Sequence, residues 1–236
     1  MVTTEQWTAL MVELVESRIA LAQAAPAIYP MTFPGARPTA DAIRAAEGRL
    51  GFALDAQHAA LLGRADGWVG AFGMGDLLST ADLGAGPRWS LANDVLDDYY
   101  FGAPAGIYPP RDQVYPIHTS ARDVFVIWTG GPPTDGGRPV LWIGGGLVDQ
   151  WANVSDFCRG IVRLNEIAIE WSGSTSAATE APGDRLAGGP RRPSSSRSRS
   201  VRGRAPPARS APRRTCACPR RSATCSRRGR SSTTAP

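Results

Sequence analysis

Apolar residues recur at helical spacing near both ends of the first 172 residues. The first stretch begins at Thr3, which has capping-box spacing with Gln6, and ends before Pro26, which cannot continue a helix. Its apolar positions are Trp7, Leu10, Met11, Leu14, Val15 and Leu21. The positions expected to face solvent are Glu13, Glu16 and Arg18. The chain therefore opens with a predicted amphipathic helix.

A closing helix is predicted near residue 155, with Ser155 as its N-cap. The residues that share its apolar face are Phe157, Ile161, Leu164, Ala168 and Trp171. This face is expected to pack on the rest of the domain, as the face of the first helix is.

Residues 39 to 68 predict two short helices that lead into a sheet. Thr39 is placed to cap the first helix and Gly51 to end it in the left-handed conformation. Asp55 is placed to cap the second, and the Asp66-Gly67 turn leads to Trp68. The positions that share a face or lie in the apolar connector are Ile43, Ala46, Glu47, Leu50, Phe52, Leu54, Ala59, Leu61 and Leu62.

The region between the helices alternates short β-prone runs with glycine-rich turns. The runs are 76–79, 114–120, 123–129, 139–143 and 147–151, and Gly144-Gly145-Gly146 lies where a hairpin turn is expected between the last two. The predicted fold is α+β, with N-terminal helices, a central antiparallel sheet of about four to six strands, and a closing C-terminal helix.

Charge divides the chain into two parts. Residues 1–172 hold 11 Arg against 19 Asp and Glu, a net charge of −8, and residues 173–236 hold 15 Arg against 2 acids, a net charge of +13. All the aromatic residues lie in the first part. The sequence therefore predicts one domain over 1–172 and an Arg/Pro/Ser-rich tail over 173–236 that is disordered, because it cannot bury enough apolar surface.

Three interpretations of the tail remain open. It could be a nucleic-acid-binding arm that contacts phosphates, or a disordered extension without a partner. The third interpretation, which we prefer, is out-of-frame translation of GC-rich DNA, because the residue vocabulary changes abruptly and the acids disappear. Cys216, Cys218 and Cys225 form an incomplete zinc set, so no metal is assigned.

The first 172 residues contain a single cysteine, Cys158, which cannot close an internal disulfide there. The N-terminus lacks a basic region followed by an apolar core, and no apolar run reaches the roughly 18 residues needed to cross a bilayer. A cytoplasmic protein without membrane contact is therefore expected.

Catalytic and cofactor sites receive little support from the sequence. A Cys-His hydrolase would need Cys158 to meet His58 or His118, the only two histidines, and Cys158 has the setting of a buried thiol. The glycines at 70, 73 and 75 are not followed by the Gly-Lys-Ser/Thr of a phosphate loop. The domain is expected to be no enzyme and to bind no cofactor or metal.

Residues 89–101 carry the most suggestive surface chemistry. Ser90 is placed to cap a helix whose predicted inward positions are Leu91, Val95, Leu96 and Tyr99. The positions predicted to project from it are Asp94, Asp97, Asp98 and Tyr100. A solvated acidic face is the favoured interpretation, and a hard-cation site is disfavoured because the spacing is not that of an EF-hand loop. The sharper alternative, and the hypothesis to test, is a partner-binding patch that attracts a basic protein.

The helical pair resembles the start of the SUKH superfamily, which includes the yeast regulators of cell-wall synthesis and killer-toxin resistance. The matching positions are Glu47, Leu50, Gly51, Phe52, Leu54, Leu61, Leu62, Asp66, Gly67 and Trp68. The connector departs from the family by lacking its usual proline. The resemblance covers roughly residues 39–171.

The SUKH resemblance implies a non-catalytic binding module. In bacteria this is an immunity-type protein that neutralises a toxin or effector, which is the function expected here, with a basic protein as the partner. The alternatives are a regulatory scaffold of the yeast type, and nucleic-acid binding through the tail but not through the domain.

Overall fold

The computed structural model describes residues 2–72 and 75–179, which lie within the compact unit Met1–Arg185. Its helices are α1 (Thr4–Ala24), α2 (Ala40–Leu50), α3 (Ala56–Leu62), α4 (Gly86–Gly102) and α5 (Val154–Thr179), with a short 3-10 helix at Arg111–Gln113. Its strands are β1 (Trp68–Phe72), β2 (Gly75–Leu77), β3 (Val114–Pro116), β4 (His118–Thr119), β5 (Val124–Trp128), β6 (Val140–Ile143) and β7 (Leu147–Trp151). The predicted α+β class is confirmed.

The strands form two antiparallel sheets rather than one central sheet. One has the order β1-β2-β4 and the other the order β3-β5-β6-β7. The split occurs within residues 114–119, where the sequence predicts a single strand. The N–H of Ile117 donates to the carbonyl of Phe125 on β5 at 2.9 Å, and its own carbonyl accepts from Leu78 just after β2 at 2.9 Å. Ile117 thus joins the two sheets.

The four-stranded sheet is covered on both faces. Val124 and Val126 of β5 pack with Ala92 and Leu96 of α4. Phe125 and Ile127, which point the other way because side chains alternate along a strand, join the main core with α1, α3 and α5. The sheet therefore separates α4 from the other helices.

Helix α1 packs chiefly against α5 and begins with the predicted capping box between Thr3 and Gln6. Arg18, predicted to face solvent, is instead 2% exposed. Its Nε donates to the carbonyl of Gly70 at 2.7 Å, and its Nη2 donates to the carbonyl of Pro30 at 2.5 Å. The spacing itself places Arg18 on the buried face, four residues after Leu14 and three before Leu21. The prediction was wrong because it followed the charge of Arg18 and not its position.

The ends of α4 and α5 also differ from the prediction. Helix α4 starts at Gly86 with Pro87 in its first turn, so Ser90 lies inside the helix. Helix α5 is capped by Asn153, whose Oδ1 accepts from the N–H of Asp156 at 3.0 Å, and not by Ser155. It continues to Thr179, past the predicted domain boundary at Ser172, and Trp171 is 73% exposed. The tail predictions for residues 180–236 fall outside the described residues.

The SUKH-like positions have structural roles. Gly51 ends α2 at φ 78° and Glu47 accepts from the N–H of Leu54 at 3.0 Å, which fixes the connector. Leu50 is half-buried, and Leu54, Leu61 and Leu62 are buried, whereas Phe52 is exposed. The carboxylate of Asp66 accepts from the Thr80 N–H at 2.5 Å and from its hydroxyl at 2.8 Å.

The turn after α3 ends in a buried tryptophan. Gly67 has φ 72°, and a Cβ there would lie 2.8 Å from the nitrogen of Ser79. Trp68 is 4% exposed, and its Nε1 donates to the hydroxyl of Thr32 at 3.2 Å. The prediction that the sheet begins at Trp68, directly after the helical pair, is therefore confirmed, since β1 starts at that residue.

Candidate functional site

Helix α4 lies on the outer side of the four-stranded sheet and buries one narrow face. Ala92 and Leu96, one helical turn apart, contact the sheet, and Val95 and Tyr99 pack beside them. Leu91 was predicted to face inward with them and is exposed. The prediction was wrong because apolar residues occupy a wider arc of α4 than the arc that contacts the sheet, so Leu91 is left outside the contact.

The opposite side of α4 carries an exposed stripe formed by Leu91, Asp94, Asp98 and Phe101, here named the α4 stripe. Successive members are three or four residues apart, so they lie along one side of the helix. All four are exposed, and Phe101 is 96% exposed. Two carboxylates are thus flanked by two apolar side chains.

Asp97 lies beside the α4 stripe and pairs within the domain. Its Oδ1 is 2.6 Å from Nε of Arg111 in the 3-10 helix, and Nη2 of the same guanidinium donates to Asn93 at 2.7 Å. Asp97 itself remains exposed. The three predicted carboxylates therefore divide into Asp94 and Asp98 on the stripe and Asp97 in a local ion pair.

The side chain of Tyr100 is half-buried and packs within the domain. Its hydroxyl donates to the carbonyl of Pro109 at 2.8 Å, and its ring lies 5.1 Å from the ring of Tyr108 and under the guanidinium of Arg111. Burial raises the pKa of Tyr100 to about 12. Tyr100 thus holds the segment after α4, and Phe101 is the exposed aromatic residue.

Phe101 was missed from the sequence although a signal was available. It follows Asp94 by seven residues and Asp98 by three, which are the helical spacings of one face. The prediction chose Tyr100 because tyrosine is common at protein interfaces. Tyr100 follows Leu96 by four residues, however, and so lies on the side of α4 that faces the sheet.

The histidines and the domain cysteine lie in the interior. Cys158 is fully buried, and burial raises the pKa of its thiol to about 12, so the thiol is protonated at neutral pH. Nδ1 of His58 is 3.2 Å from the hydroxyl of Tyr115, and burial lowers the pKa of both His58 and His118 to about 3. Both imidazoles are therefore neutral in the folded protein.

Metal binding and membrane insertion are the two candidate properties that remain. Among residues 2–72 and 75–179, no group of three or more His, Cys, Asp or Glu side chains is arranged to hold a metal ion. Within the same ranges, none of the helices has the length and apolar character needed to cross a bilayer.

Comparisons with known proteins identify no family for this chain. No family model matches the sequence, and no curated protein matches it. Among solved structures, the chain is similar to a protein from Pseudomonas syringae pv. tomato, with 17% sequence identity and a TM-score of 0.36 over 60% of this chain and 94% of the other. A likeness at this level supports no statement about function.

Proposed function

We propose that the chain is a non-catalytic protein-binding module of the bacterial immunity type, which acts in the cytoplasm and neutralises a basic toxin or effector. The observation that carries the proposal is the α4 stripe, which combines a 96% exposed phenylalanine with two exposed carboxylates on one side of a helix whose other side is anchored in the core.

Phe101 supplies the apolar contact in this proposal. Burying a phenylalanine side chain contributes about 1.5–3 kcal/mol relative to leaving it in water. Aromatic residues are enriched at the centres of protein interfaces, where they fill pockets on the partner. A helix fixed to a sheet presents the ring with little loss of entropy on binding, because the backbone is already ordered.

Asp94 and Asp98 supply the electrostatic part. The first 172 residues carry a net charge of −8, so a basic partner is attracted over distances of about a Debye length. Opposite potentials raise the association rate, which matters for an inhibitor that must reach its target before damage is done. The expected partner is a protein with a cationic surface, such as a toxin that acts on nucleic acid.

The proposed class rests on the SUKH resemblance of residues 39–171, and the absence of catalysis is supported by the protonated Cys158 and the neutral, buried histidines. A thiol with a raised pKa is a poor nucleophile at neutral pH. Residues 180–236 of the Arg-rich tail lie outside the described residues, and the tail contributes nothing to this proposal.

The test begins with capture of partners by the full chain and by two triple variants, read by quantitative mass spectrometry. One variant removes the stripe (Asp94→Asn, Asp98→Asn, Phe101→Ala). The matched control makes the same kinds of change at exposed sites on α1 and in the segment after it (Glu13→Gln, Glu16→Gln, Phe33→Ala). The proposed partner is captured by the wild type and the control and lost from the stripe variant.

Neutralisation is then measured by co-expression in a bacterial host. The captured partner alone is expected to arrest growth, the wild type and the control to restore it, and the stripe variant to fail. A partner that leaves growth unaffected when expressed alone contradicts the immunity function and favours the regulatory scaffold. Equal capture by all three proteins contradicts the assignment of the site.

A further inference from the structure

One side of helix α4 already binds an arginine of its own domain, through Asn93, Asp97 and Tyr100. Nη2 of Arg111 donates to Oδ1 of Asn93 at 2.7 Å, and its Nε donates to Oδ1 of Asp97 at 2.6 Å. The guanidinium carbon lies 5.9 Å from the centre of the Tyr100 ring. Two oxygen acceptors and a ring, at successive spacings of four and three residues, thus bind one guanidinium.

The α4 stripe repeats this arrangement one residue further along the chain. Asp94, Asp98 and Phe101 are also spaced four and three residues apart. They therefore have the same relative positions on the helix, rotated by about 100° around its axis. A carboxylate takes the place of the Asn93 amide, and a phenylalanine takes the place of Tyr100. The stripe offers a guanidinium two carboxylates and one aromatic ring.

The domain itself does not neutralise the carboxylates of the stripe. Arg111 pairs with Asp97, and no ion pair within residues 2–72 and 75–179 includes Asp94 or Asp98. Phe101 is 96% exposed. The charge of Asp97 is thus met inside the domain, whereas the charges of Asp94 and Asp98 face solvent beside an exposed ring.

We propose that the α4 stripe binds an arginine side chain of the basic partner, with the guanidinium stacked on Phe101 and hydrogen-bonded to Asp98 and Asp94. The inference rests on the proposed function, because it names the partner's contact residue at the same site. Arginine fits better than lysine, since its planar fork reaches two oxygens while its face covers a ring. The net charge of −8 on residues 1–172 favours such a partner.

The test titrates N-acetyl-arginine amide into the full chain at constant ionic strength. The lysine analogue and the citrulline analogue, which has the shape of arginine without its charge, serve for comparison. The ring signals of Phe101 are followed by carbon–proton NMR. The arginine compound is expected to shift them saturably and to bind about two- to fivefold more tightly than the lysine compound. The citrulline compound is expected to bind more weakly than the arginine compound.

Three single variants locate the contact. Asp98→Asn is expected to weaken binding of the arginine compound by about two- to fivefold. Glu13→Gln on α1 is the matched control, because it also removes one exposed carboxylate, and is expected to leave binding unchanged. Phe101→Leu keeps an apolar side chain and is expected to abolish the preference for arginine over lysine, followed at the backbone amide of Asp98.

Three results would overturn the inference. The first is no saturable shift with the arginine compound up to about 100 mM. The second is equal binding of the arginine and lysine compounds by wild type. The third is an equal effect of Asp98→Asn and Glu13→Gln.

A different occupant would also overturn it. Nuclear Overhauser contacts between Phe101 and an arginine before any compound is added would assign the site to an arginine of this chain. If these contacts disappear on dilution, the arginine belongs to a second copy, and if they persist, it belongs to the same molecule. The small compounds replace the partner, so these results do not depend on whether a toxin is captured. Failure of the proposed function would instead be seen in the growth assay.

Discussion

The helical pair at residues 39–68 and helix α4 use their side chains in opposite ways. In the helical pair the side chain of Glu47 fixes the connector at Leu54. The side chains of Asp55, Asp66 and Trp68 bond to Arg138, Thr80 and Thr32 in other parts of the domain. On α4 the members of the stripe project into solvent. The recognisable pattern of residues 47–68 therefore stabilises the fold. A binding surface is expected where exposed side chains, such as those of the α4 stripe, make no contact that stabilises the fold.

Trp68→Ala is the largest expected disruption of the helical pair. Removing a buried tryptophan costs about 3–5 kcal/mol, because the cavity left behind is only partly filled by relaxation. The measurement is the free energy of unfolding by urea. Trp171→Ala serves as the control, since that side chain is 73% exposed, and is expected to cost little. Equal stability of the two variants would remove the structural role assigned to Trp68.

Gly67→Ala is the next largest effect and has a control within the chain. Both Gly67 and Gly145 have positive φ, 72° and 78°, so alanine is strained at either site by about 1–2 kcal/mol. Only at Gly67 does the added Cβ approach backbone, at 2.8 Å from the nitrogen of Ser79, whereas nothing lies within 4 Å at Gly145. Urea denaturation should therefore show a further loss of about 1–3 kcal/mol for Gly67→Ala.

A Gly67→Ala variant no less stable than Gly145→Ala would show that the Ser79 segment moves away freely. The turn would then constrain the fold less than its geometry indicates.

Low pH is expected to reduce the free energy of unfolding through His58, which lies in the helical pair. The pKa of His58 is about 3 in the folded protein and near its usual 6.5 when unfolded, so the unfolded chain binds more protons between these values. Stability is then fully present above pH 6.5 and is lost as the pH falls, at about 1.4 kcal/mol per pH unit. Between pH 7 and pH 5 the loss from His58 is about 2 kcal/mol.

The check is the pH dependence of the unfolding free energy in wild type and in His58→Gln. The variant should lose less stability between pH 7 and pH 5, because one proton-binding group of the unfolded chain is gone. Parallel curves would mean that His58 is protonated without cost in the fold, which contradicts its burial against Tyr115.

The sequence predicted where helices and strands begin and end better than it predicted their contacts with the rest of the domain. Local signals such as the Thr3–Gln6 capping box, the Gly51 stop and the start of β1 at Trp68 were confirmed, because each depends on neighbouring residues only. The partners of Arg18 and the division at Ile117 depend on residues far along the chain, about which local spacing carries no information. The inward side of Tyr100, by contrast, could have been found from its spacing of four residues from Leu96. The α4 stripe could have been found from the spacing of Phe101, which lies seven residues after Asp94 and three after Asp98.

The smallest effect on stability is expected at the α4 stripe. Phe101→Ala should change the unfolding free energy by no more than about 0.5 kcal/mol, because the ring is 96% exposed. Tyr100→Phe, at the neighbouring residue, is expected to lower the unfolding free energy more, by about 0.5–1.5 kcal/mol, because it removes the hydroxyl that bonds to Pro109. Thermal or urea unfolding of the two variants measures the difference. A larger loss from Phe101→Ala would place its ring inside the fold and not on a binding surface.

The association rate of the captured partner tests the α4 stripe as the binding surface. The rate is measured from about 50 to 300 mM salt for wild type, the stripe variant and the matched control (Glu13→Gln, Glu16→Gln, Phe33→Ala). The two variants change the charge equally. Wild type and control are expected to bind quickly at low salt and to lose rate steeply as salt rises. The stripe variant is expected to bind slowly with a shallower salt dependence and, without Phe101, to dissociate faster. Identical rates and salt dependence for the stripe variant and wild type would show that the stripe is not the binding surface.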